Sequence, residues 1–271
     1  MMPYTSWYFK IIFAAMQILL LLTFISALAF SVWFLAKGSK KKRIAVPAIN
    51  VTNEILETYI GFYSRLTEPD RLRFIKQLNE FLSEIIITPI NTSITDLDRI
   101  FVAASAVVPI FSFPDFKYPH LQEVLIYPDT FNMDFETHTD DRNILGLVGT
   151  GVYSNKMLLS KTALQAGFGN NPGSANTAIH EFVHLIDAAD GDTDGIPRML
   201  MDNIYTLPWL DLMHREIQKM LEGSSDINPY GLTSRSEFFA VASEYFFERP
   251  EIFKENHPEL YNMMQLIFKT K

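Results

Sequence analysis

The chain opens on a run with no polar period. Ile11 to Ala36 holds no charged side chain, is rich in Leu, Ile, Phe and Ala, and has Gln17 as its most polar residue. At about 1.5 Å per helical residue it is long enough to cross a hydrocarbon core of about 30 Å. A cluster of Lys37, Lys40, Lys41, Lys42 and Arg43 follows it, where a cleaved signal peptide would carry small residues. Beyond the cluster the pattern becomes amphipathic. Ile44 to Asn50 reads as a linker and Thr52 to Leu66 as a helix. Thr67 is an N-cap with Asp70 at the box position and Pro69 in the first turn, opening a helix to about Ile85 whose inward face is Leu72, Phe74, Ile75, Leu78 and Phe81. Thr95 or Asp96 starts a third helix, to about Val108.

The period then changes to that of short strands. Glu123 to Tyr127 is ended by Pro128-Asp129, and Leu147 to Tyr153 and Met157 to Leu159 are joined by Ser154-Asn155-Lys156. Gly167 to Gly173 is a loop. Helices follow over Ser174 to Ala189, Trp209 to Leu221, Ser234 to Phe247, and from His257 onward. Helices, a few strands and more helices predict an α+β domain over 44–271, preceded by a transmembrane anchor with its basic stop over 1–43. The heavier basic flank lies after the span, so the positive-inside rule places the main domain in the cytoplasm.

Charge and composition narrow the chemistry. Six of the 23 Lys and Arg and none of the 31 Asp and Glu lie in residues 1–43, which leaves 17 against 31 beyond and a formal charge of −14. A domain so acidic is a poor nucleic-acid binder. There is no cysteine, so disulfides and thiolate metal sites are excluded, and any transition-metal site must draw on His, Asp and Glu.

His180-Glu181-Phe182-Val183-His184 supplies such a site. On a helix, positions i and i+4 share a face, so two imidazoles can point at one Zn²⁺ ion. Glu181 lies beside the first and can take a proton from a zinc-activated water as general base. Ile179, Val183 and Ile186 form an apolar stripe on another face, as a core-packed helix requires. A hydrolytic zinc site needs a third protein ligand. No His follows at the spacing of the longer His-rich motif, so a carboxylate on a later helix is expected. Glu237 and Glu244, seven residues apart on one face, both qualify. Asp187, one turn past His184, can accept an imidazole N–H as a buttress of the ligand or be a plain surface carboxylate. Asp190-Gly191-Asp192-Thr193-Asp194-Gly195 begins like a calcium loop, but position 12 is Met201, and it reads as a helix-ending turn with Gly191 in the left-handed cap.

Four stretches carry a family resemblance: Phe62-Tyr63-Ser64-Arg65-Leu66-Thr67, His120 to Pro128, Ile179 to Pro197, and Tyr230 to Phe253. The specific parts are Ile-His-Glu-x-x-His-x-x-Asp with the following Gly-Asp-x-Asp-Gly-x-Pro, and Ser-Glu-Phe-Phe-Ala-Val-x-Ser-Glu-Tyr-Phe-Phe. In these the chain resembles the Mlc titration factor A family of gluzincin-type zinc peptidases. The resemblance implies a zincin-like fold, one zinc ion with Glu237 as third ligand, and Glu244 behind the ligands. It also implies Tyr230 as a helper of the oxyanion, a peptide or protein substrate, and a bacterial inner-membrane location for the anchored chain. A different function class stays open beside the peptidase: a membrane-tethered zinc protein that sequesters a cytosolic factor such as a transcriptional regulator. Its zinc would be structural and closed by a fourth protein ligand, His214 or Glu244. Met157 to Leu159 is expected as an edge strand that takes up extended substrate.

Overall fold

The computed structural model describes residues 23, 26–28, 30–31, 49, 51–131, 144–148, 155–169 and 175–269. The chain divides into two units at Pro47 and Ala48, and the second holds the elements that follow. Among the described residues no helix is long and apolar enough to cross a membrane. The expected span, Ile11 to Ala36, lies mostly outside them.

Thr52 caps α1 (Asn53–Tyr59) by accepting the Ile55 N–H at 3.3 Å. The helix expected through Leu66 breaks at Ile60, which turns extended to bury its side chain, and resumes as the short α2 (Gly61–Ser64). Thr67 stands at the N-cap of α3 (Glu68–Glu84), but its hydroxyl donates to the Asp70 carboxylate at 2.8 Å instead of capping the backbone. Phe74, Leu78 and Phe81 face the core as expected. Leu72 does not: at 100° per residue it lies on the far side of the helix from Phe74, and it is 66% exposed.

A strand not anticipated from the pattern, β1 (Ile86–Pro89), follows directly. Next comes α4 (Asp96–Ile110), opened by a capping box between Thr95 and Asp98 and buried along most of its length. The remaining strands are β2 (Glu123–Tyr127), β3 (Gly146–Val148) and β4 (Lys156–Ser160), in the order β1-β2-β4-β3. β1, β2 and β4 are mutually parallel, and β3 runs antiparallel to β4 with Leu147 opposite Leu158. Val124 and Ile126 join the main core, while Leu125, Tyr127 and Leu158 build a smaller cluster on the other face with Phe131. Burial on both faces accounts for the unbroken apolar runs of β2 and β4. The strand order corrects one expectation. Met157 to Leu159 is an interior strand paired on both sides, and the edge beside it is β3.

The helices α5 (Lys161–Gly167), α6 (Thr177–Asp187), α7 (Thr206–Leu221), α8 (Arg235–Glu248), α9 (Pro250–Asn256) and α10 (Pro258–Phe268) complete the domain. α6 packs on α4, on β3 and on α8. It ends in a 3-10 turn at Ala188–Asp190 and at Gly191, whose φ of 103° is the expected left-handed cap. The result is an α+β domain, rich in helix around one small sheet.

Candidate metal centre

Asn176 starts α6. Its side-chain oxygen accepts the Ile179 N–H at 3.1 Å, and its amide donates to Glu248 at the end of α8, at 2.9 Å. The buried stripe of Ile179, Val183 and Ile186 turns His180 and His184 toward α8. There Ser234 caps the helix by accepting the Glu237 N–H at 3.1 Å, which sets Glu237 in the first turn. Three atoms converge: His180 Nε2 to Glu237 Oε2 is 2.9 Å, His184 Nε2 to Glu237 Oε2 is 3.2 Å, and the two Nε2 atoms are 3.1 Å apart.

Two imidazole nitrogens at that separation can share at most one proton. Three donor atoms on one tetrahedral zinc, at about 2.0–2.1 Å each, lie roughly 3.3 Å apart. Among the described residues these three form a group able to hold a metal ion. Two imidazoles and a carboxylate are the donor set of hydrolytic zinc, so the residues fit the ion.

The electrostatics are those of a buried acid–base cluster. Burial opposes charge on His180, but the Glu237 hydrogen bond and the Glu181, Glu237 and Glu244 carboxylates push its pKa up overall. Glu237 resists the upward pull of burial and is held at about 2 by the two histidines beside it. Glu181 is 7% exposed, and burial raises its pKa against the pull of His180 and His184. Its carboxylate accepts a hydrogen bond from the Val148 backbone of β3.

Gly146 leaves the space Glu181 uses. A Cβ there would stand 2.6 Å from Glu181 Cγ and 2.8 Å from its Oε1. Sequence reasoning missed this residue, since no motif marks it.

The other expected residues fall as follows. Glu244 Oε2 lies 3.8 Å from Nδ1 of His180, the ring nitrogen pointing away from the cluster. Tyr230 is half-exposed on a 3-10 turn (Pro229–Leu232), its ring 6.0 Å from that of His180. Its phenol pKa is raised by partial burial and by Glu237 and Glu181. Gly231 lets the turn approach α8, since a Cβ there would meet Val241 at 2.8 Å. His214 is exposed on α7 and takes no part in the cluster.

Asp187 does not touch an imidazole. It accepts from Ser236 Oγ at 2.7 Å, and Ser236 in turn lies 3.1 Å from His184 Nδ1. Ser236 too escaped sequence reasoning, although it directly precedes Glu237. Asp190 and Asp194 are bound by Arg198, consistent with a turn held by an ion pair. A cavity of about 520 Å³ at the far end of α8 contains none of these groups. Arg65, one of its walls, donates to the Phe247 carbonyl at 2.7 Å and so caps that helix end.

A Synechocystis protein described as uncharacterized is 27% identical over 222 residues, covering 78% of this chain and 80% of its own. Mlc titration factor A of Pectobacterium atrosepticum is 27% identical over 227 residues (78% and 83%), and that of Escherichia fergusonii 28% over 213 residues (72% and 77%). The profile of the glucose-regulated metallo-peptidase M90 family matches residues 36–269. With all of the second unit but its last two residues inside that match, the chain belongs to the glucose-regulated metallo-peptidase M90 family.

Proposed function

We propose that the protein is a zinc-dependent peptidase, tethered to a membrane by residues 11–36 with its catalytic domain in the cytoplasm. The observation that carries the activity is the convergence of His180, His184 and Glu237, each offering one ligand atom, beside a buried Glu181. When bound, zinc supplies Lewis acidity: it lowers the pKa of a coordinated water and polarises a scissile carbonyl. His180, His184 and Glu237 hold the ion. Glu181, raised by burial and steadied by the Val148 amide, accepts the water's proton and later gives it to the departing amine. Tyr230, its ring 6.0 Å from that of His180, donates a phenolic hydrogen bond to the developing oxyanion. β3 offers its main chain to an extended peptide, the edge role expected of Met157 to Leu159.

The test is Glu181→Gln in the full chain. It should keep stoichiometric zinc and lose cleavage of a peptide library by about 10²–10⁴-fold. Undiminished cleavage, or cleavage by the native chain that ignores a chelator, would overturn the mechanism. The tether is tested by fractionation: the full chain should resist alkaline extraction from membranes, and the 44–271 fragment should not pellet.

A second reading, sequestration of a transcriptional regulator by a tethered zinc protein, draws on the name Mlc titration factor A borne by relatives. Its closed zinc site has less support. His214 is remote from the cluster, and Glu244 faces the wrong nitrogen of His180. A regulator pulled down equally by native chain and Glu181→Gln, with no peptide cleaved by either, would favour it.

A further inference from the structure

The bonds around Ser236 form a chain with a definite direction. Asp187 is 1% exposed, and its Oδ2 already accepts the Gly195 backbone N–H at 3.0 Å. Asp187, as a carboxylate, can only accept, so the serine's single hydroxyl proton goes to Oδ2 at 2.7 Å. Ser236 Oγ is left with lone pairs only. The imidazole nitrogen 3.1 Å away, His184 Nδ1, must then carry its proton and donate it. A neutral imidazole protonated at Nδ1 has its lone pair at Nε2, the atom that points at His180 and Glu237.

We propose that Ser236 is a positioning residue that fixes the tautomer of His184 and the register of two helices at once. It stands in the first turn of α8, one residue before Glu237, and grips His184 and Asp187, both on α6. The same hydroxyl thus ties the helix bearing the carboxylate ligand to the helix bearing the imidazoles. Asp187, buttressing the serine, does through Ser236 what direct contact with the ring would have done. This inference rests on the zinc reading for its consequence, tighter metal binding, but not for the proton order, which the hydrogen bonds set without metal.

The test uses full-length, metal-free protein with ¹⁵N-labelled histidine, at about pH 8 so that ordinary imidazoles are neutral. The resonances of His184 are identified by their loss in His184→Asn. His184 should show a protonated, pyrrole-type Nδ1 and a pyridine-type Nε2. Ser236→Ala should lose that signature and weaken zinc affinity, measured by competition with a chromogenic chelator, by about 10–100-fold. Ser236→Thr, which keeps the oxygen, should restore both to within a few-fold. A proton on Nε2 in the native chain overturns the proposal whether or not any variant folds, as does a Ser236→Ala protein with unchanged tautomer and affinity. A native chain with the expected tautomer that binds no zinc would support the proton order and defeat the peptidase reading, so the two failures are distinct.

Discussion

Gly146 and Glu181 compete for one volume. A methyl group at position 146 has to displace the Glu181 side chain, since it would come within 2.8 Å of its carboxylate oxygen and 2.9 Å of Thr177 Cγ2. Gly146→Ala should therefore leave zinc binding intact and lower kcat for peptide cleavage by about 10²-fold, the scale of a misplacement of roughly 1 Å. Steady-state kinetics beside metal analysis checks the split. At this scale the sequence showed what lies close together along one helix. His180, Glu181 and His184 were legible because four residues make one turn. Glu237 and Glu244 were not separable, because α8 runs past His180 and sets one against each ring nitrogen, at 2.9 and 3.8 Å. Gly146 had no signal to give, since its contribution is the absence of a side chain against a residue far along the chain.

The elements carry the site through their caps. Asn176 is wholly buried, closes the N-terminus of α6 with its oxygen and holds Glu248 of α8 with its amide. Asn176→Ala should cost about 1–2 kcal/mol in urea unfolding of the metal-free protein, the worth of a buried cap. A loss below a few tenths would show that the cap is idle. Helix starts were the most legible part of the fold: the expected openings at Thr52, Thr67, Thr95 and Ser234 each lie one residue before a helix, although Thr67 does not cap the backbone and the cap of α6, Asn176, carried no signal. Strand identity was harder. β1 follows α3 with only Ile85 between them, so Ile86 and Ile87 prolong an apolar helical pattern. The sheet order, which moves the edge from β4 to β3, depends on pairing between distant segments and leaves no local mark. Ile60 breaks a helix that periodicity alone would continue, because a core position won over helical propensity.

Across the whole molecule, the last helices are fastened to α7 and α8 by a buried ionic knot. His257, 4% exposed, is bonded to Glu216 at 2.9 Å and to Asp226 at 2.7 Å, and Asp226 also accepts from Tyr245 and Asn256. Burial opposes charge on His257, yet the two carboxylates raise its pKa above 6.5. Its stabilising effect is complete below 6.5 and is lost as pH rises through the raised value. Glu216 and Asp226 resist burial and are lowered by His257 and their other partners. Their contributions are complete above 4.5 and 3.8, and fade as pH falls through the depressed values. The knot is thus strongest between about 4.5 and 6.5. Melting temperature should decline as pH rises from 6 to 9 more steeply in the native chain than in His257→Gln. That variant should also be less stable by about 2 kcal/mol at pH 6, since it removes a charged hydrogen-bond partner from Glu216 and leaves it Lys219 alone. Equal slopes would remove this account.

The distance along the chain between the ligands has a consequence for the order of events in the cell. Glu237 comes 53 residues after His184 and reaches it only when α8 has docked on α6. A chain still on the ribosome, synthesised only as far as the end of α6, offers a cation two imidazoles and no third ligand. On the zinc reading proposed above, high affinity would arrive only with completed tertiary structure, so an unfinished chain would be a poor competitor for scarce metal. The ion that loads last would also favour the finished fold by mass action, about 4 kcal/mol at a thousand times its dissociation constant, so that loading acts as a latch on maturation.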